Sequence, residues 1–509
     1  MRGLPSAITI LVTLPGLALF SADPCDRFVR PALAQAGPPQ NPDGDDFWRC
    51  GDFRFRVTHV IFNHNHATPY GDTEGLALRK NYAATADYTH GRVERGTMTG
   101  DVLGEWIHPK LGGRNEPALY VTGKRVTILA RIECKDDLDS ATFGAREIIG
   151  PSGNPDWVNV EESNVGFRQP PGSNYWVSHG AGPNNEYHEF ALTGYTRGSL
   201  GRFICSWLWN VNKVVQAGQI VQPPNYTLTT TGPHTFYTVL STPNHPWYWG
   251  AHDEAVERTE PWTDALDFLL DKVNLRGEAL IDYACNKITK YLHGSYGLGY
   301  DHVFGGARYV RPEERRDPIT GAVIKDPVTG SPMYQDKLRF FLSDYILPTT
   351  NEVNCYDQAA AVMSLTNLIG GWSWYRYMSR FGYIHETEHV GGVTSNNPFY
   401  LGKILISAGP PPVFGPPFDN RPVVGTNDLL QDADTDGDID RSIFGNHAFV
   451  MNHSAYDRVW DACVGPKQGV GIDVYLHDAI DTSTNSEHAL AGIKSNITGG
   501  VGVPFVNLR

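Results

Sequence analysis

Charge is scarce in this chain of 509 residues: Asp, Glu, Lys and Arg make up 19%, below the quarter or so of an ordinary globular protein. The charge present leans acidic, with 42 Lys and Arg against 56 Asp and Glu, a net of −14. That balance excludes a general nucleic-acid binder, which needs a basic face. Long apolar runs are missing as well. Beyond the N-terminus no segment reaches the 18 or so apolar residues that span a bilayer, so no transmembrane segment is expected in the mature chain. Cysteine is sparse and odd in number: seven, at 25, 50, 134, 205, 285, 355 and 463. What is abundant is Gly (53), Pro (35), Tyr (24), Phe (22) and Trp (12), which excludes a disordered, collagen-like or coiled-coil chain. At about 150 residues per domain, the length predicts three domains or two large ones.

The N-terminus reads as an export signal over residues 1–36. Arg2 is the sole early charge, residues 7–20 are apolar, and Ala34-Gln35-Ala36 is a fair cleavage site, with a cut near Ala22 as the alternative. The chain is therefore expected to be secreted or extracellular, in the periplasm or at the cell surface. In such an oxidising compartment idle cysteines pair. An odd count leaves one thiol over.

Residues 37–50 read as a polar linker, and residues 51–245 follow a period of two. Phe53, Phe55, Val57 and His59 alternate, as do Val126, Ile128, Ala130, Ile132 and Cys134, and again Phe203, Cys205, Trp207 and Trp209. Such runs, separated by Gly, Pro and Asn turns, predict an antiparallel β-sandwich over 37–250. Cys134 and Cys205 are placed to bridge its sheets beside Trp207, in the immunoglobulin manner. The aromatic run Pro243 to Trp249 marks a crossing into a second domain, 251–509. There Pro261-Trp262-Thr263-Asp264 opens a helix with Thr or Asp as its cap. A second helix is expected from Glu278 to Leu292. Two Asp-Pro-x-Thr-Gly turns, at Asp317 and Asp326, predict an exposed hairpin insertion over 311–336.

The chemistry centres on Asn354-Cys355-Tyr356-Asp357-Gln358-Ala359. Asn354 is a good helix cap, and the alanines with Met363, Leu365 and Leu368 continue a buried helix to Gly370-Gly371. Cys355 then sits in the first turn, where partial positive charge stabilises a thiolate and orphan N–H groups can hold an oxyanion. A thiolate nucleophile needs an imidazole, and the imidazole a carboxylate. Asn446-His447-Ala448-Phe449-Val450 reads as one strand and Val459-Trp460-Asp461-Ala462-Cys463 as the next. A hairpin centred on Ser454 sets His447 directly opposite Asp461, on the same face. Asn354, Tyr356, Gln358 and Asn446 are the candidates for oxyanion or near-site roles.

Cys at a helix start, His on a strand and Asp on the adjacent strand, in this order and with these three motifs, resembles the transglutaminase-like superfamily of papain-related cysteine folds over about 262–509. The resemblance implies Cys355 as nucleophile, His447 as general base and then acid, and Asp461 as the orienting group. The long stretch between Cys355 and His447, and Asn354 where many relatives have Gly, depart from the pattern and leave the substrate open. The fold class expected is α+β: an N-terminal antiparallel β-sandwich followed by a transglutaminase-like (papain-related) cysteine domain.

Other motifs compete. Asp432, Asp434, Asp436, Asp438 and Asp440, with Gly437 at the sixth position, fit the start of an EF-hand-like calcium loop that lacks its final Glu, since Ile443 stands there. Calcium would be structural or regulatory, and no cofactor is expected for the chemistry. His385-Glu386-Thr387-Glu388-His389 is a literal zinc-protease motif, but flanking glycines leave little room for the helix it needs. His64 and His66 share a face of a possible strand. The expected function is thiol acyl transfer on amide groups of a protein or peptide substrate, as transglutaminase-type cross-linking or glutamine modification. A cysteine peptidase or amidase, and a non-catalytic extracellular binding or surface-structural protein with a calcium loop, are the alternatives. Cysteine parity adds a conjectural set of bridges, 25–50, 134–205 and 285–463, that would leave Cys355 free.

Overall fold

Apolar residues at every second position make the first half of the chain strands. The computed structural model describes residues 47–62, 75–76, 78, 80, 105–148, 159–181, 185–193, 196–221, 226–247, 261–300, 307–315, 317, 320, 322–348, 350–378, 382–385, 430–431, 441–444, 447–452, 458–463, 469–479 and 497–499. The export signal, the acidic run 432–440, His64, His66 and Asn446 lie outside them.

Strands from Trp48–Cys50 to Tyr226–Val239 form one sheet of 14. Trp48–Cys50 already pairs with Phe53–Ile61, so the expected linker ends before residue 48. Pairing is antiparallel except where Tyr226–Val239 runs parallel to Ala118–Val121. The expected two-sheet sandwich is thus a single curled sheet. Its strand Tyr226–Val239 bulges against the long strand Gly201–Gln216, opposite the step from Cys205 to Trp207 and again opposite the step from Trp209 to Asn210. Bulges sharpen bend and twist, and Tyr226–Val239 comes round to lie against Phe53–Ile61. Phe55, Phe143, Trp207, Trp209 and Phe236 fill the enclosed core. A bulge between Val57 and His59 also breaks the first alternating run, turning Thr58 and Val60 inward and leaving His59 half-exposed.

The thiols do not pair. Cys134, Cys205, Cys285 and Cys463 are free and buried, as are Cys50 and Cys355. The expected bridges 134–205 and 285–463 are therefore absent, and Cys25, the conjectured partner of Cys50, lies outside the described residues. These cysteines fill apolar positions. Burial pushes the thiol of Cys50 up to about 11 and that of Cys134 up to about 12.

The second half carries helices α1 (Thr263–Asp267), α2 (Ile281–Lys290), α3 (Leu342–Ile346), α4 (Cys355–Leu368) and α5 (Ile472–Ala479). Trp262 occupies the cap position of α1 with no side-chain bond, so neither Thr263 nor Asp264 caps it. The second helix begins three residues later than expected, at Ile281, and continues past Lys290 as a wider helical turn, Tyr291–Ser295. The hairpin insertion pairs Val310–Glu314 with Tyr334–Phe340. At its tip the carboxylates of Asp317 and Asp326 accept the amide and hydroxyl of Thr320 and Thr329 respectively, so the repeated sequence folds as a repeated turn.

A five-stranded sheet, in the order Val470–Gly471, Arg458–Trp460, His447–Asn452, Ser373–Met378, Ile497–Gly499, carries α4 against its third and fourth strands. Every residue of α4 is buried, the mark of a central helix. Among the described residues no helix is long and apolar enough to cross a membrane.

Candidate active site

The site begins at the N-terminus of α4. Asn354 accepts the amides of Tyr356 (2.9 Å) and Asp357 (3.0 Å) on Oδ1. Asp357 returns the contact by accepting the Asn354 amide at 3.2 Å, which closes a capping box. Asp357 does more than cap. Its Oδ1 accepts the amides of Tyr309 (2.8 Å) and Val310 (2.7 Å), and its Oδ2 that of Arg308 (2.8 Å). One buried carboxylate therefore ties the root of the hairpin insertion to the first turn of α4. Burial pushes it up to about 6, against the pull of four amide donors.

Cys355, the first residue of α4, is fully buried. His447 opens the strand His447–Asn452, and Asp461 lies one residue past the strand Arg458–Trp460. His447 Nε2 stands 2.6 Å from Asp461 Oδ2, with both side chains buried. A carboxylate only accepts, so Nε2 carries the proton. The imidazole also hydrogen-bonds the Cys355 side chain. With Nε2 on Asp461, the ring nitrogen left for the thiol is Nδ1. Burial alone would push His447 down. The Asp461 charge and hydrogen bond, with the Cys355 contact, outweigh it and raise the imidazole to about 10. Asp461 shows the converse: burial pushes it up, but His447 and the donors around it hold it below the usual carboxylate range.

The hairpin is not centred where the sequence places it. Val450 pairs with Trp460 and Met451 with Val459, which centres it on Ala455 and sets Asp461 in line with Phe449. A shift of one residue at the centre moves the partner by two, so the face is kept and His447 meets Asp461 diagonally.

Asp461 has two more partners. Its Oδ2 accepts the Tyr475 hydroxyl at 2.7 Å, and its Oδ1 the Cys463 amide at 2.8 Å. Tyr475, on α5, is fully buried, and its ring packs 5.2 Å from that of Phe449. Neither Tyr475 nor the clasp made by Asp357 is evident from sequence. The signal for Asp357 was its place three residues after an Asn cap. Tyr475 had no local signal, because it stands outside the three motifs, twelve residues beyond Cys463.

The remaining near-site candidates divide. Gln358 accepts the Tyr345 hydroxyl at 2.8 Å and donates to the Leu292 carbonyl at 3.4 Å, so its amide binds core elements. Tyr356 stacks on Tyr375, with ring centroids 6.3 Å apart. His293 meets the Ala462 carbonyl through Nδ1 at 3.0 Å, just behind Asp461. The zinc-protease motif begins on a strand: Gly382–His385 pairs with Arg441–Phe444, and the other four residues of the motif lie outside the described residues. Among the described residues no group of three His, Cys, Asp or Glu side chains is arranged to hold a metal.

As chemistry, the arrangement is a thiol, an imidazole and a carboxylate in series, buried, at the positive end of a helix. Such a series can move a proton from sulfur to nitrogen and stabilise the resulting charges. No family model and no curated protein matches the chain. Among solved structures, the transglutaminase of red sea bream is matched over 68% of this chain and 49% of its own length, at 11% identity and a TM-score of 0.28. The chain thus spans about half the length of that protein, a distant likeness at most.

Proposed function

We propose that the protein is a thiol acyl-transfer enzyme acting on amide groups of proteins or peptides, with Cys355 as nucleophile, His447 as general base and then acid, and Asp461 as the group that orients the imidazole. The observation that carries the reading is the continuous hydrogen-bonded series from the Cys355 side chain through His447 to Asp461 Oδ2. In this mechanism the thiolate attacks an amide carbonyl while His447 is protonated. The oxyanion meets the positive N-terminus of α4. His447 then gives its proton to the leaving amine, and the C–N bond breaks to leave a thioester. An amine acceptor completes cross-linking or glutamine modification, and water completes hydrolysis.

Incorporation of a fluorescent primary amine into a glutamine-bearing protein, measured beside ammonia release, tests the reading. Activity that falls by about 10²–10⁴ in His447→Ala and vanishes in Cys355→Ala supports it. Ammonia without amine incorporation identifies an amidase, and an inert wild type with an unreactive Cys355 overturns enzymatic function altogether. Export and calcium belong to the same proposal. The acidic run ends seven residues before His447, close enough for a bound ion to order that strand. A melting temperature raised by calcium, and no longer raised in Asp434→Asn/Asp436→Asn, is the expected result.

A further inference from the structure

Asp461 occupies an exposed position in the topology although it is buried in space. The ladder between His447–Asn452 and Arg458–Trp460 ends at Trp460, so strand pairing does not fix the residue that must aim the imidazole. Side-chain and amide donors take over. Cys463 N–H holds Oδ1 at 2.8 Å, while Oδ2 accepts both His447 Nε2 at 2.6 Å and the Tyr475 hydroxyl at 2.7 Å. The Tyr475 ring is locked in its turn: it lies 5.2 Å from Phe449, and Phe449 stacks on His447 at 6.3 Å.

We infer that Tyr475 is a positioning residue of this site: its hydroxyl clamps Asp461 Oδ2, so that the carboxylate cannot rotate away from His447 and the imidazole keeps Nδ1 on the Cys355 thiol. The inference rests on the acyl-transfer reading and adds to it a fourth member on a separate helix. Burial and the adjacent carboxylate push the phenol well above its usual range, so it remains a donor throughout the pH range of a test. The titratable groups facing this cluster are His447, Cys355, Cys463 and, through the turn Tyr291–Ser295, His293.

The test is the iodoacetamide labelling rate of Cys355 in the full chain, read by peptide mass spectrometry at pH 6 and pH 9.5, for wild type, Tyr475→Phe, His447→Ala and Asp461→Asn. At pH 6 an unpaired thiol is scarcely ionised, so the rate depends on the thiolate–imidazolium pair. At pH 9.5 an unpaired thiol is itself largely ionised, so the rate depends far less on the pair, although the imidazole, raised to about 10, is still protonated. Their ratio cancels differences in access. A hydrogen bond to a charged group is worth about 1.5–3 kcal/mol, or about 10- to 100-fold at 1.36 kcal/mol per decade. Tyr475→Phe is therefore expected to lower the pH 6 rate by about 10- to 100-fold, with less than about a threefold change at pH 9.5. An unchanged ratio in Tyr475→Phe, while His447→Ala loses the pH 6 rate, overturns the role of Tyr475 alone. A wild type whose pH 6 rate does not depend on His447 overturns the acyl-transfer reading instead. Should Tyr475→Phe lose rate at both pH values through poor folding, the double variant with Asp461→Asn decides. No further loss beyond Asp461→Asn supports the clamp, and additive losses overturn it.

Discussion

Asp357 shows how much one side chain can do when it is buried with its acceptors filled. Four backbone amides end on its two oxygens, and burial still lifts it from the ordinary 3.8 to about 6. The folded chain then binds more protons than the unfolded chain between about pH 4 and pH 6, so this group's contribution to stability falls as pH rises through that window. Two pH units correspond to about 3 kcal/mol. Asp357→Asn removes one acceptor oxygen and leaves buried donors unmet, at about 1–3 kcal/mol each. In urea unfolding, wild type is expected to be the more stable at every pH. Its advantage should narrow by up to about 3 kcal/mol between pH 4 and pH 6. An advantage that widens instead would mean that the four amides prevail over burial. The residues that carry the proposed chemistry were readable because each stands in a local motif: Cys355 behind a capping Asn, His447 and Asp461 in facing strand patterns. Asp357 reaches the root of the hairpin insertion and Tyr475 reaches Asp461 across the fold, and none of the local motifs contains both ends of those contacts.

Among the elements, α4 was the most readable, since its cap, its alanines and its terminal glycines agree with one another. Gly370 has φ of +93°, and a Cβ there would stand 2.5 Å from Ser241 Cβ and 2.7 Å from its backbone. The end of α4 is thus docked on the segment that links the two halves, where Ser241 N–H donates to Ile369 and Asn244 N–H to Asn367. Gly330 offers the contrast, with φ of +70° and nothing within 4 Å of an added Cβ. Gly330→Ala is expected to cost about 1 kcal/mol of backbone strain, and Gly370→Ala roughly 2–4 kcal/mol of strain plus overpacking. Equal costs in urea unfolding would mean that the linking segment is not docked there. Element boundaries and register were less readable. The hairpin before Asp461 is recentred by one residue, and a bulge after Val57 turns the first strand over. Alternation reports which residues face inward along a straight ladder, and a bulge changes that without altering composition.

At the scale of the molecule, local alternation predicted two sheets and the chain built one. Closure of a curled sheet is set by long-range bends that a period of two does not encode. The boundary expected near residue 250 also meets a core that crosses it. Leu119, Val121, Tyr237 and Val239 of the first sheet belong to the same buried cluster as Trp247, Trp262, Leu266, Cys285, Cys355 and Leu365. Trp247 sits at the junction, fully buried, with its indole N–H on the Ser364 carbonyl at 2.6 Å and its ring edge-on to Trp262 at 5.5 Å. Arg202 of the sheet pairs with Asp267 of α1 at 2.6 Å. Halves that share a core lose it together, so the chain is expected to unfold in one calorimetric transition despite its length. Residues 251–509 made alone should then lack native stability. Trp247→Ala removes a large side chain from the shared cluster, which costs about 3–5 kcal/mol. It should lower that single transition as a whole and slow Cys355 labelling, because α4 is anchored through Ser364. Two separate transitions, with Trp247→Ala moving only one of them, would show that each half holds its own core and that the cluster across residue 250 is a contact between two independently stable bodies.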